Sequence, residues 1–179
     1  MRGRVARISA FTLALVIGLL VLVLFNAKPS TSRLADSPLL GQPSPALAGE
    51  SVTSANRFDV IDEAGTWVLV NFFATWCVPC QAEHDDLLAF ANAHAVTGDA
   101  SVVSVVFSDD VDDVRRYFRV NGGDWPVIDD ADGRIATDWG VTGVPESYLV
   151  APNGQVRAKI VGGVDVAKLE ELLASVRRS

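Results

Sequence analysis

Cys77 and Cys80, in Trp76-Cys77-Val78-Pro79-Cys80, are the only two cysteines of this 179-residue chain, and they stand where one local pattern gives way to another. Before them, Trp67-Val68-Leu69-Val70-Asn71-Phe72-Phe73 is apolar, aromatic and β-branched, the pattern of a buried strand. After them, Gln81–Ala95 has the composition of a helix. The pair therefore sits where a strand ends and a helix begins. Partial positive charge at the helix N-terminus stabilises a thiolate, the reactive form of cysteine. A two-residue gap there lets the sulfurs reach each other, so the pair reads as a dithiol/disulfide redox centre.

Three other uses of the pair fit the sequence less well. A structural disulfide more usually closes a longer loop, where a cross-link stabilises more. Zinc needs about four ligands, and only His84 and His94 are available beside the cysteines. His84 follows Cys80 by one helical turn, which keeps zinc open as a minor alternative. Covalent haem attachment requires His directly after the second cysteine, and this chain has Gln81. No metal and no cofactor is expected.

The N-terminal part suggests where the centre works. Arg2, Arg4 and Arg7 precede Ile8–Phe25, an apolar run broken only by Ser9, Thr12 and Gly18. As a helix it spans about 27 Å, close to the hydrocarbon thickness of a bilayer. Arginines on its N-terminal side predict a cytoplasmic N-terminus and an extracytoplasmic remainder. The run is long for a signal-peptide core, and no small-x-small site follows it closely, since Phe25-Asn26-Ala27 has Phe where a small residue is wanted. An uncleaved anchor is expected. Residues 1–27 then form the cytoplasmic end and transmembrane helix, and the Pro- and Ser-containing stretch 28–45 a tether. Residues 46–179 form one domain, long enough for a single core.

Charge narrows the partners. The formal net charge is −7, and the N-terminal segment carries four of the positive residues (Arg2, Arg4, Arg7, Lys28), which leaves the exported part near −11. Such a domain is a poor candidate for nucleic acid. An oxidising exterior permits the cysteines to exist as a disulfide.

Beyond the helix, Ala100–Phe107 reads as a second buried strand. Ser108 is placed to cap a following helix, with Asp109, Asp110, Asp112 and Asp113 at its start, Arg115, Arg116 and Arg119 toward its end, and Asn121-Gly122-Gly123 stopping it. Pro152-Asn153-Gly154 between Ser147–Ala151 and Gln155–Val161 is a hairpin signal, and Asp165–Arg178 a closing amphipathic helix. Val52–Ile61 is ambiguous between strand and turn. Trp125, Trp139 and His94 are expected to serve structure, His94 at the surface or as a cap. Strands alternating with helices and ending in a hairpin predict an α/β fold with a central mixed sheet.

Val70-Asn71-Phe72-Phe73-Ala74-Thr75-Trp76-Cys77-Val78-Pro79-Cys80 resembles the active-site segment of thioredoxin-like proteins, and Gly140–Val150 resembles their second signature, a loop whose cis-proline faces the disulfide. Gln81-Ala82-Glu83-His84, and Glu146 directly after Pro145, look like the membrane-anchored CcmG/DsbE branch that serves cytochrome c maturation, to which ResA and TlpA are related. The resemblance runs from about Leu40 to the C-terminus and implies a thioredoxin-like fold. It implies that Cys77 is the exposed nucleophile and Cys80 the resolving thiol. It implies an active-site shell of Trp76, Val78, Pro79, Glu83, Val144, Pro145 and Glu146, with Val144 offering backbone to an extended substrate.

Two departures qualify the match. Thioredoxin carries a buried Asp where this chain has Asn71, which cannot act as a base, and a helix-kinking proline where it has Asp85. Glu83 and Glu146, if near the sulfurs, oppose thiolate formation and relay protons; as solvated surface residues they do neither. The function implied is a membrane-anchored extracytoplasmic thiol–disulfide oxidoreductase, a reductant in cytochrome c maturation. Its partners would be apocytochrome c or other exported thiol proteins and a membrane thiol–disulfide electron donor. A Dsb-type oxidase and a non-redox apoprotein-binding module are the alternatives, and the direction of electron flow stays open.

Overall fold

The computed structural model describes residues 16–19 and 32–178. The expected anchor and the start of the tether fall almost entirely outside them. Among the described residues no helix is long and apolar enough to cross a membrane.

Trp67–Phe73 forms β4, the strand on which the rest is assembled. Its residues are buried on both faces, as a continuous apolar run demands. Ala100–Val106 (β5) pairs parallel to β4, and Val127–Asp129 (β6) parallel to β5. On the other side, Glu146–Val150 (β7) runs antiparallel to β4, and Val156–Val161 (β8) antiparallel to β7 across the expected hairpin. Arg33–Ala35 (β1) closes that edge, so the sheet order is β1-β8-β7-β4-β5-β6. Ala48–Glu50 (β2) and Arg57–Asp59 (β3) make a separate antiparallel pair.

Four helices flank the sheet: Val78–His94 (α1), Val111–Asn121 (α2), Arg134–Asp138 (α3) and Val166–Val176 (α4). β4, β5 and β6 advance in one direction, so the crossovers α1 and α2 fall on one face. There Leu87, Phe90, Val114 and Phe118, joined by Leu169 and Leu173 of α4, pack on Leu69, Phe73, Val102 and Leu149. On the other face α3, β2 and β3 bury Ile135, Leu47 and Phe58 against Val70, Phe72, Val105 and Tyr148. This is the α/β architecture with a central mixed sheet and flanking helices that the sequence predicts.

Several elements differ from expectation. α1 begins at Val78 rather than Gln81, because Pro79 occupies its first turn, where a missing N–H breaks no bond. α2 is capped by Asp110, whose carboxylate accepts from the backbone N–H of Asp112 (2.8 Å) and Asp113 (3.3 Å). Ser108 instead turns the chain at a φ of 51°. Within the stretch expected to be a tether, Arg33, Leu34 and Ala35 pair with Val161, Ile160 and Lys159. Three-residue elements such as β1, β2 and β6 are too short for a period of two to stand out.

Candidate active site

α1 starts on Cys77, whose Sγ accepts the backbone N–H of Cys80 at 3.2 Å. The two sulfurs are joined as a disulfide, S–S 2.09 Å, at the positive end of the helix. Each cysteine is 4 % exposed, so exposure does not rank them in this oxidised form. Position does. Cys77 is flanked by Trp76 and Val78, which are 58 % and 71 % exposed, whereas Cys80 lies within the first turn. The Trp76 indole donates to the carbonyl of Ser108 at 3.1 Å, which holds its ring at the rim of the site rather than in the core.

The loop before β7 comes up beside this helix start. Its Val144–Pro145 peptide is cis. Thr142–Glu146 and Pro79 form the walls of a cleft of about 320 Å³, bounded further by Val161, Gly162 and Arg33. Val144 is half-buried, and Pro145 and Glu146 are buried. The β8–α4 loop packs against α1 at Gly163, where even a Cβ would come within 3.4 Å of the carbonyl oxygen of Pro79, an ordinary van der Waals contact.

Glu83 follows Cys80 by three residues, on the same side of α1, and is 2 % exposed. Asn71 Nδ2 donates to its Oε1 at 2.8 Å, and the Val164 N–H donates to its Oε2 at 2.8 Å. Asn71 also donates to Ser147 Oγ at 3.1 Å. Burial pushes the Glu83 carboxyl up to about 7, against the Val164 and Asn71 hydrogen bonds, with Asp86 adding to the rise. An acid with that affinity exchanges its proton near neutral pH. Asn71 thus supplies no base of its own but holds one that comes from the helix.

Glu146 is equally buried, on the other face of the sheet. Along β7 it alternates with Ser147, which faces Asn71 and Glu83, and shares its side with Tyr148. Its Oε1 accepts from Thr142 Oγ1 (2.8 Å) and from the Thr142 N–H (3.3 Å). Lys159 Nζ lies 2.8 Å from its Oε2 and also donates to the Gly140 carbonyl at 2.9 Å. Burial disfavours the charge on Lys159, but the hydrogen bonds it donates to Glu146 and Tyr148 outweigh that and raise its pKa above the ordinary lysine value. Neither glutamate is a solvated surface residue, and Glu146 is one half of a buried ion pair that clasps the cis-proline loop.

The remaining candidates are distributed by packing. The His84 ring lies among Tyr117, Phe118 and Trp125, and its Nε2 meets the Gly122 carbonyl at 3.0 Å; burial pushes its pKa down. His94 is 7 % exposed rather than superficial, between Asp99 (2.8 Å) and Glu170 (3.1 Å). Trp125 and Trp139 are core residues, Trp125 donating to Ser104 Oγ at 2.9 Å. Sequence reasoning missed Lys159, Ser147, the Val164 N–H and Arg33. Their roles arise from strand neighbours and loop closure, and no local pattern marks them.

Comparison with known proteins agrees with this geometry. The Redoxin family profile matches residues 39–173. The thiol:disulfide interchange protein DsbE of Pseudomonas aeruginosa is 36 % identical over 140 residues, 77 % of this chain and 75 % of that protein. DsbE of Escherichia coli K12 is 31 % identical over 163 residues, 89 % and 85 % of the two chains. The thiol:disulfide interchange protein CycY of Rhizobium leguminosarum is 38 % identical over 108 residues, and the match spans only 56 % of that protein. Among solved structures, a thioredoxin-family thiol:disulfide interchange protein of Chlorobium tepidum superposes with a TM-score of 0.69 at 26 % identity, covering 79 % of this chain and 98 % of that one.

Proposed function

The chain belongs to the CcmG/DsbE family of thioredoxin-like Redoxin proteins and is a thiol–disulfide oxidoreductase, and from that premise we propose that it is a membrane-anchored extracytoplasmic reductant acting in cytochrome c maturation through Cys77 and Cys80. Its substrates are then apocytochrome c or other exported thiol proteins, and a membrane thiol–disulfide donor re-reduces it.

The observation that carries the reductant reading is Glu83, buried one turn beyond Cys80 with a carboxyl near 7. A strong dithiol oxidant owes its high potential to a stabilised reduced form, in which a thiolate is favoured. A carboxyl on the same helix face withholds part of that stabilisation when ionised. The reduced form is therefore less favoured, and the pair gives its electrons up more readily.

The Cys77 thiolate, at the helix cap, attacks a sulfur of the substrate disulfide; a mixed disulfide forms and one substrate thiolate leaves and takes a proton. Cys80 passes its proton to the ionised Glu83 and attacks Cys77 Sγ. The mixed disulfide breaks as the Cys77–Cys80 disulfide forms, and the second substrate thiolate leaves and takes up the proton that Glu83 accepted, directly or through water. Two electrons pass from protein to substrate. Val144 shares the cleft with Pro79, and an extended substrate adds as a strand along its backbone.

Equilibration with glutathione or thioredoxin tests the direction. A potential nearer that of thioredoxin, about −270 mV, than that of the oxidant DsbA, about −120 mV, is expected. A value near the latter favours a disulfide-forming oxidase. Cys80→Ser should trap a mixed disulfide with substrate and Cys77→Ser should not. If neither variant nor wild type exchanges with any disulfide, the pair is a staple in a binding module.

A further inference from the structure

We infer that Arg33 is a specificity-determining residue of the cleft, selecting substrates that carry a carboxylate beside the reactive cysteine; this rests on the reading of the cleft as the place where a substrate disulfide docks. Arg33 opposes Val161 on β8, and Val161 opposes Glu146 on β7. Directly opposed residues share a sheet face. Two strand spacings put the Arg33 backbone about 10 Å from Glu146, and its long side chain completes the cleft wall opposite Pro79 and the cis-proline loop.

Charge makes that position selective. Among the described residues lining the cleft, the only other ionisable group is Glu146, whose charge Lys159 already balances at 2.8 Å. Among the described residues no carboxylate pairs with Arg33, and its side chain is exposed. Among the described residues the cleft thus presents a cation with no carboxylate beside it, on a domain whose net charge is otherwise strongly negative. A peptide extended along Val144 turns alternate side chains the same way, so a residue near its cysteine meets the guanidinium, whose planar fork binds a carboxylate through two hydrogen bonds. Arg33 also lies before residue 39, where the Redoxin match begins. The family segment supplies the exchange chemistry, and the preceding strand supplies the charge.

Three disulfide-closed peptides, identical except for Glu, Gln or Lys beside the first cysteine, test this with the full-length protein in detergent at physiological salt. The protein is reduced with dithiothreitol and desalted. Each turnover converts the Cys77/Cys80 dithiol to a disulfide and the peptide disulfide to two thiols, and chromatography follows the peptide. Wild type should reduce the Glu peptide faster than the Lys peptide, and Arg33→Gln should lower that rate ratio about fivefold, as expected for one partly solvated ion pair. Arg33→Lys should retain most of the ratio, and Arg33→Glu should invert it. Equal ratios in wild type and Arg33→Glu would overturn the inference and leave the docking reading intact. If wild type reduces none of the peptides, the docking reading fails and the inference with it.

Discussion

Glu83 keeps its proton to about pH 7 in the folded protein, whereas the same carboxyl in an unfolded chain releases it near 4.5. Between those values the native state binds more protons, so its stability falls as pH rises. The loss attributable to this group, complete above about pH 7, is on the order of 3 kcal/mol. Urea unfolding of the oxidised protein at several pH values should show that decline, and Glu83→Gln should flatten it while costing some stability at every pH. Equal slopes in both proteins would mean that water reaches the carboxyl. In the reduced protein Glu83→Gln should also lower a cysteine pKa, read from alkylation rate against pH. Glu146→Gln should move it much less, because Glu146 lies on the other sheet face and its charge is balanced by Lys159. Comparable shifts from both variants would contradict that separation.

At the scale of elements, β8 positions the cis-proline loop. Lys159 reaches from the strand to the Gly140 carbonyl and the Glu146 carboxylate, while Thr142 ties the same carboxylate to the loop it begins. Removing one partner of a buried ion pair strands the other, at a cost of about 3–5 kcal/mol. Lys159→Met should therefore destabilise the protein by about that amount, and the double variant Lys159→Met/Glu146→Gln should recover most of it; urea titrations measure both. A single variant within about 1 kcal/mol of wild type would show that the pair contributes little beyond solvated charges.

For the whole molecule, β1 carries the chain directly onto the sheet edge beside the cleft. From Phe25 to Arg33 is eight residues, at most about 29 Å of chain. An anchor ending at Phe25 would therefore hold the cleft close to the bilayer surface, within reach of a membrane-held thiol donor. Protein extracted from membranes should begin at or near Met1 on N-terminal sequencing. A start near Gly49 would remove both the anchor and Arg33, and would leave a released domain.

The strand–helix junction around Cys77 and Cys80 was legible because β4 is buried on both faces and so is written as one unbroken apolar run. The acidic first turn of α2 and the Asn153-Gly154 hairpin were legible for a similar reason, since helix starts and turns are local and their residues are set by backbone geometry within a few positions, although the cap itself fell on Asp110 and not on Ser108. By itself the sequence determined the redox pair, the alternation of strands and helices, and the family to which both point. Only the tertiary structure decided what Glu83 and Glu146 are. One carboxyl is desolvated between Asn71 and Val164, the other is neutralised by Lys159, and the sheet stands between them. Those partners lie 12, 81 and 13 positions away in the chain. The affinity of a buried acid for its proton depends on the solvent and charges that folding brings around it, and spacing along the chain does not encode them.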